Sequence, residues 1–335
     1  MKRLLFSDLH LHTWAYGSTV TDLGYNSRLW GQAQALTQIV DYVKEHNIEH
    51  AYFLGDLFHT HGRVPTQALV IATRFFNALR SEGVKIRGMY GNHDMEDKSG
   101  SINAVSAILT PQETAGSWID NERKVVALPY TEDEDTLKRF LDNVPDESMI
   151  LLHQGVAGVP LSSGYVLDEK LSPGMIPDTC VAFTGHYHFH KKVSDRLTVV
   201  GNLTPLNWSD IDQNKGFVVY DDETGEMEQV LQQGAPKFTS WNEGFQEDIE
   251  GGFIRWTDEV KQSDQEEIRK SLIEQGGLTV EFPKVKLEEG ASAIRTGEEV
   301  TVEHLVKSFE TEEMEPRRVE VGLEIREERY EAAQA

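Results

Sequence analysis

The sequence predicts a layered α/β fold, in which helices pack against a sheet of mainly parallel strands. First, short apolar runs alternate with segments of helical hydrophobic period over residues 1–90. Second, residues that can bind a metal directly follow several apolar runs, where ligands bind to open α/β sheets. Third, the length of 335 residues allows a sizeable core, and we expect two domains.

The first ninety residues carry the clearest alternation. The sequence predicts strands at 1–7, 51–54 and 84–90, and helices at 28–44 and 65–81. In the first helix, residues such as Leu29, Leu36 and Val40 recur at helical spacing. Pro65 and Gly83 are the start and stop signals of the second helix. This order is typical of parallel strands joined by crossover helices.

Shorter elements follow, separated by loops. Loops over the crevice are predicted at 12–27 and 156–178. Further strands are predicted at 124–128, 149–152, 180–184, 197–201 and 216–220, and helices at 101–109 and 132–143. Because the composition changes near Gly234-Ala235-Pro236, we expect a first domain at 1–235 and a small acidic region for capping or partner binding at 236–335. That region should contain helices at 262–275 and 302–311 and strands at 278–282 and 318–325.

The charge of the chain limits how it can bind nucleic acid. The formal net charge is −24, which argues against a broad basic surface for nucleic acid. Residues 1–235 hold 19 Lys and Arg against 31 Asp and Glu, so half of the net charge lies in the last 100 residues. A polyanionic substrate would therefore have to be attracted largely by metal ions and a partner protein.

The single cysteine, Cys180, excludes an intramolecular disulfide and favours a reducing compartment. It lies in an apolar run, so we interpret it as a core thiol rather than a nucleophile. No leader precedes Asp8, and no apolar stretch approaches the roughly 20 residues that cross a bilayer. We therefore expect a soluble, cytoplasmic protein without membrane contact.

Five predicted strand ends carry metal-binding side chains: Asp8-Leu9-His10, Gly55-Asp56, Gly91-Asn92-His93-Asp94, His153 and Gly185-His186-Tyr187-His188. This mixture of oxygen and imidazole ligands favours Mn²⁺, Fe²⁺ or Zn²⁺ over Ca²⁺, and without thiolate it does not favour a structural zinc site. Residues two apart on an extended chain face the same side, so Asp8 and His10 can share one ion. The same spacing joins His186 and His188. Asp56, which follows its own strand, is the expected bridge between two ions.

Such a pair of ions would suit phosphoester hydrolysis. Two ions about 3.5–4 Å apart polarise a phosphate and lower the pKa of a shared water. The leaving oxygen also needs a proton, and His93 differs from the other histidines because it directly follows a ligand, Asn92. We assign His93 as general acid and transition-state stabiliser. The sequence does not decide whether His59 and His61 are site residues or ordinary loop residues.

In this order the five motifs resemble those of the calcineurin-like metallophosphoesterase superfamily. Within it, Gly55-Asp56-Leu57-Phe58-His59 and Gly201-Asn202-Leu203-Thr204-Pro205 are similar to the SbcD nuclease and the meiotic-recombination nuclease of double-strand-break repair. The similarity covers residues 1–235, and the compact chain would fit a phage-encoded member.

The resemblance implies a four-layer α/β/β/α sandwich with a small α+β appendage toward the C-terminus. It also implies two divalent metal ions, Mn²⁺ above others. The implied ligands are Asp8, His10, Asp56 and His188 for one ion, and Asp56, Asn92, His153 and His186 for the other. His93 would be the acid, and His59 matches a second histidine that this family places near the scissile phosphate.

The implied activity is a Mn²⁺-dependent 3′-to-5′ exonuclease and endonuclease on DNA, the catalytic subunit of an SbcCD-like repair and recombination complex. The implied partners are DNA, an SbcC-like coiled-coil ATPase and a second copy of the chain bound through the early helices. We predict that the ATPase docks on residues 300–335, especially Leu305, Val306 and Phe309. Two alternatives stay open: a metallophosphatase or nucleotide phosphodiesterase for small phosphoesters, and a scaffold that retains an inactive site.

Overall fold

A computed structural model describes residues 1–113, 117–120, 123–161, 164–242 and 249–283, which belong to one compact unit. The strands are β1 (Lys2–Phe6), β2 (His50–Phe53), β3 (Lys85–Gly88), β4 (Trp118–Asp120), β5 (Val125–Leu128), β6 (Met149–Leu152), β7 (Val181–Thr184), β8 (Lys191–Lys192), β9 (Leu197–Val199), β10 (Gly216–Asp221), β11 (Met227–Leu231), β12 (Phe238–Trp241), β13 (Phe253–Trp256) and β14 (Thr279–Glu281). The α-helices are α1 (Ser27–His46), α2 (Thr66–Ser81), α3 (Glu134–Leu141) and α4 (Gln262–Glu274).

The strands form three sheets. The first has the order β11-β10-β1-β2-β3, and the second has the order β4-β5-β6-β7-β9-β8. In the first sheet β1, β2 and β3 are parallel, and in the second β5, β6, β7 and β9 are parallel. The third sheet, β12-β13-β14, is parallel throughout. The carboxyl ends of the parallel strands therefore meet at one edge of each large sheet, where the predicted ligands follow.

Three apolar cores separate four layers. The first core, with Phe6 and Leu36, lies between the first sheet and the helices α1 and α2. The second core, with Leu5 and Leu151, lies between the two large sheets. The third, with Leu137 and others, lies between the second sheet and α3. The arrangement is the four-layer α/β/β/α sandwich, so the predicted fold class is confirmed.

The third sheet and α4 form the small α+β appendage, which has its own apolar core around Ile254 and Leu272. Its first strand begins at Phe238. The domain boundary at 235/236 remains our proposal. The predicted elements at 302–311 and 318–325, with Leu305, Val306 and Phe309, lie outside the described residues.

One predicted helix is wrong. Instead of a helix over 101–109, the structure has a single 3-10 turn, Ala104–Ala107, which Asn103 caps by accepting from the Ser106 N–H. The backbone N–H of Ala104 donates to the carbonyl of Asp94 at 2.8 Å. This bond ties the segment to the loop after β3, so long-range contact overrides the local helical pattern.

Cys180 is buried and free, and it packs in the core outside the second sheet. This placement agrees with its interpretation as a core thiol. Among the described residues, no helix combines the length and the apolar character that crossing a bilayer demands.

An ion pair joins the end of α2 to the loop that follows the 3-10 turn. Arg80 donates two hydrogen bonds of 2.7 Å to the carboxylate of Glu113. These bonds lower the pKa of Glu113 below its usual range, although partial burial opposes them. A carboxylate whose pKa is lowered by folding stabilises the protein above its unfolded pKa, and this contribution is lost as the pH falls.

We expect Glu113→Gln to reduce the free energy of unfolding by about 1–2 kcal/mol at pH 7, because a charge-assisted pair is lost. The difference from the wild type should stay constant down to about pH 5 and shrink below about pH 4.3, where the unfolded carboxyl gains its proton. Urea denaturation across this pH range measures the free energy of unfolding of the wild type and of the variant. A difference that persisted unchanged at pH 3.5 would contradict the assignment to the charge of Glu113.

Candidate metal centre

The predicted ligands lie where the carboxyl ends of β1, β2 and β3 approach those of β6 and β7. Asp8, His10, Asp56 and His186 all have left-handed backbones, with φ between 42° and 80°. That conformation is costly for residues other than glycine and is kept mainly where function requires it. Eight described non-glycine residues have positive φ, so half of this strain falls on four predicted site residues.

Asp56 lies at the middle of the cluster and is buried. Its Oδ2 atom is 3.5 Å from Nε2 of His10 and 3.4 Å from Nε2 of His153. Its Oδ1 atom accepts a hydrogen bond of 2.9 Å from the backbone N–H of His93. Asp56 therefore occupies the position expected of a carboxylate shared between two groups of ligands.

The first group gathers around His10. The Nε2 atoms of His10 and His188 are 3.1 Å apart, and Oδ1 of Asp8 is 3.9 Å from Nε2 of His10. One potential ligand atom from each of the three residues lies within 4.8 Å of the others. The backbone N–H of His186 donates to Asp8 at 3.1 Å, which holds this carboxylate against the chain after β7.

The second group gathers around Asn92. Its Oδ1 atom is 2.9 Å from Nδ1 of His186 and 3.3 Å from Nε2 of His153. The Nδ1 atom of His153 lies 2.5 Å from the carbonyl of Leu54, so Nε2 is the nitrogen turned toward Asp56. The structure thus brings all seven predicted ligands into one cluster, in which Asp8 lies close to Asp56 and His153 as well as to His10 and His188.

The chemistry of these side chains fits two divalent cations. Burial raises the pKa of Asp8 to about 7, because a carboxylate charge is costly in the interior unless a cation compensates it. Burial also opposes ionisation of Asp56, but His153 and His10 outweigh it and lower the pKa of Asp56 below its usual range. Carboxylate, amide and imidazole donors without thiolate favour hard or borderline ions.

His93 and His59 lie beside the ligands. Nδ1 of His93 is 2.7 Å from the backbone carbonyl of His59, and the two rings stack at 5.6 Å. The His93 ring is 4.7 Å from the His10 ring, and the His61 ring stacks on the His93 ring at 4.9 Å. Burial, reinforced by His93, lowers the pKa of His59 to about 4, so His59 is neutral near pH 7. His59 and His61 therefore both lie beside His93, next to the predicted ligands.

Asp94 is the last residue of the Gly91-Asn92-His93-Asp94 motif, and the motif by itself predicts no role for it. The buried carboxylate accepts backbone N–H bonds from Asp56 at 2.8 Å, Leu57 at 2.9 Å and Gly91 at 3.0 Å. A Cβ at Gly91 would lie 2.2 Å from Oδ1 of Asp56, so glycine is required for this approach. Asp94 therefore fixes the loop that carries Asp56 against the loop that carries Asn92.

The four-layer sandwich, the order of the ligand motifs and the central position of Asp56 define a metallophosphoesterase. In its fold and in the order of these motifs, the chain resembles the calcineurin-like superfamily of these metal-dependent hydrolases. Its relatives include a DNA double-strand break repair protein Mre11 from Methanopyrus kandleri, 27% identical over 108 residues, or 32% of this chain and 22% of the relative. Exonuclease subunit 1 of Enterobacteria phage T4 is 22% identical over 222 residues, 63% of this chain and 62% of the relative.

The chain thus spans about a fifth of the first relative and three fifths of the second. No family model matches the chain. A solved archaeal phosphodiesterase superposes with a TM-score of 0.36 and 14% identity, over 69% of this chain and 99% of its own, a superposition too loose to bear on function.

Proposed function

We propose that the chain is a Mn²⁺-dependent DNA nuclease with 3′-to-5′ exonuclease and endonuclease activity, the catalytic subunit of an SbcCD-like repair and recombination complex. The observation that carries the proposal is the carboxylate of Asp56, 3.5 Å and 3.4 Å from the histidines of two ligand groups, with His93 adjacent. The names of both sequence relatives, a DNA repair protein and an exonuclease subunit, favour DNA over small phosphoesters.

The seven side chains divide between two ions in this proposal. Asp8, His10 and His188 would hold one ion, Asn92, His153 and His186 the other, and Asp56 both. When bound, the two ions would polarise the phosphodiester and lower the pKa of water. Asp94 and the carbonyl of Leu54 would keep the ligands oriented, since they fix the Asp56 loop and the His153 ring.

His93 would supply the proton that the leaving oxygen needs. Its Nδ1 atom is 2.7 Å from the carbonyl of His59, so a proton on Nδ1 is held by that bond. Nε2 is then the atom that can give a proton to the substrate. His59, neutral and stacked on His93, would help place the scissile phosphate.

We also propose the partners and location that the sequence predicts. An apolar groove between α1 and α2, lined by Trp30, Val40 and Phe75, supports a second copy of the chain bound through these helices. The net charge of −24 supports an SbcC-like ATPase that supplies most of the attraction to DNA. The buried free thiol of Cys180 is compatible with a cytoplasmic location.

The test is digestion of end-labelled duplex and single-stranded DNA with Mn²⁺, alone and with a candidate coiled-coil ATPase. We expect shortening from 3′ ends that requires Mn²⁺ and increases with the ATPase, and no cleavage in EDTA. The alternative, a phosphatase or nucleotide phosphodiesterase, predicts hydrolysis of small phosphoesters with DNA left intact. A chain that bound no Mn²⁺ and cleaved neither substrate would be the non-enzymatic scaffold.

A further inference from the structure

Glu169, in the loop between β6 and β7, directs its carboxylate toward His186. Oε1 of Glu169 is 3.8 Å from Nε2 of His186, and the two side chains are only 21% and 20% exposed. The predicted ligand sets do not include Glu169, which comes from a loop with little sequence periodicity.

The other contacts of His186 leave Nε2 as the nitrogen that faces Glu169. Nδ1 is 2.9 Å from Oδ1 of Asn92, within the second ligand group. The imidazole ring stacks on Tyr130 at 5.6 Å, which restricts its rotation. A neutral imidazole has one N–H and one lone pair, so a hydrogen on Nε2 leaves the lone pair on Nδ1 for a ligand bond.

Gly155 provides the space for this carboxylate. A Cβ at Gly155 would lie 2.2 Å from Cδ of Glu169 and 2.4 Å and 2.6 Å from its two oxygens. The backbone of Gly155 is outside the left-handed region, so its conformation does not itself require glycine. The approach of Glu169 is therefore the physical reason for glycine at this position.

We propose that Glu169 is a positioning residue for the second ion: its carboxylate, 3.8 Å from Nε2 of His186, attracts the Nε2–H and so keeps the Nδ1 lone pair directed toward the ligand group of Asn92. A carboxylate behind a ligating imidazole fixes its tautomer and increases its basicity. The inference rests on the two-ion site proposed above and adds a residue that acts through His186.

The test is calorimetric titration of the metal-free full chain with Mn²⁺. Glu169→Ala should weaken the binding of one of the two ions by about 10–100-fold and leave the other unchanged. Asp168→Asn is the matched control, because it removes a carboxylate from the same loop that is fully exposed. This control should bind both ions as the wild type does.

Three further variants separate positioning from folding. Gly155→Ala should displace the intact Glu169 and produce the same loss, and the double variant should lose no more than either single variant, because both act on one contact. Glu169→Gln keeps an acceptor oxygen and should recover most of the affinity. Equal unfolding temperatures in EDTA would show that the fold is unchanged.

The inference would be overturned if Glu169→Ala bound both Mn²⁺ ions with wild-type affinity. It would also be overturned if Asp168→Asn lost as much Mn²⁺ affinity as Glu169→Ala. An additive loss in the double variant would also overturn it. If the wild type itself bound no Mn²⁺, the proposed function would fail, whereas two ions bound equally by the wild type and Glu169→Ala would remove only the role of Glu169.

Discussion

Asp56→Ala should lose both metal ions and all hydrolytic activity. Oδ2 of Asp56 is 3.5 Å from Nε2 of His10 and 3.4 Å from Nε2 of His153, so in the proposed site one carboxylate would serve both ligand groups. Removing an outer hydrogen-bond partner of a ligand already costs about 10–100-fold in metal affinity. A shared ligand should cost more than about 10²-fold for each ion. Calorimetric titration with Mn²⁺ and metal analysis after dialysis measure the loss.

The matched variant for this experiment is His188→Ala. His188 approaches His10 at 3.1 Å and belongs only to the first group, so its loss should remove one ion and preserve the second. The contrast between the two variants tests whether the carboxylate is shared. If Asp56→Ala retained one ion with normal affinity, Asp56 would belong to a single group and the two-ion proposal would be wrong.

His93→Ala should retain both ions but reduce the rate of DNA cleavage by about 10²–10⁴-fold, the usual contribution of a general acid. The His93 side chain belongs to neither proposed ligand set, and its Nδ1 contacts the carbonyl of His59 at 2.7 Å. The loss should therefore appear in the single-turnover rate and not in Mn²⁺ affinity.

Two comparisons sharpen the assignment of His93. A substrate with a nitrophenolate leaving group needs no proton donor, so His93→Ala should slow its hydrolysis much less than that of DNA. His61→Ala removes a ring that stacks on His93 and whose Nδ1 lies 3.3 Å from the carbonyl of Met95. This variant should cleave DNA at nearly the wild-type rate. If His93→Ala lost a metal ion, His93 would be a ligand and its assignment as acid would be wrong.

Much of the fold could be predicted from the sequence because the relevant signals are local. The period of α1 and the Pro65 and Gly83 signals around α2 predicted both helices within two residues of their observed ends. Two strands of the second sheet are too short to show a hydrophobic pattern in the sequence: β4 has three residues and β8 has two. The prediction of a helix at 101–109 is wrong because this segment is bound by a residue outside it: the carbonyl of Asp94 accepts the backbone N–H of Ala104.

By itself, the sequence determined the fold class and the identity and order of the candidate ligands, because apolar periods and strand-end motifs are encoded by neighbouring residues. Only the tertiary structure decided which of these side chains meet. The approach of Asp56 to both His10 and His153, the bonds of Asp94 to the Asp56 loop, and the approach of Glu169 to His186 join distant segments. Such distances depend on how the layers pack, and no local pattern of residues specifies them.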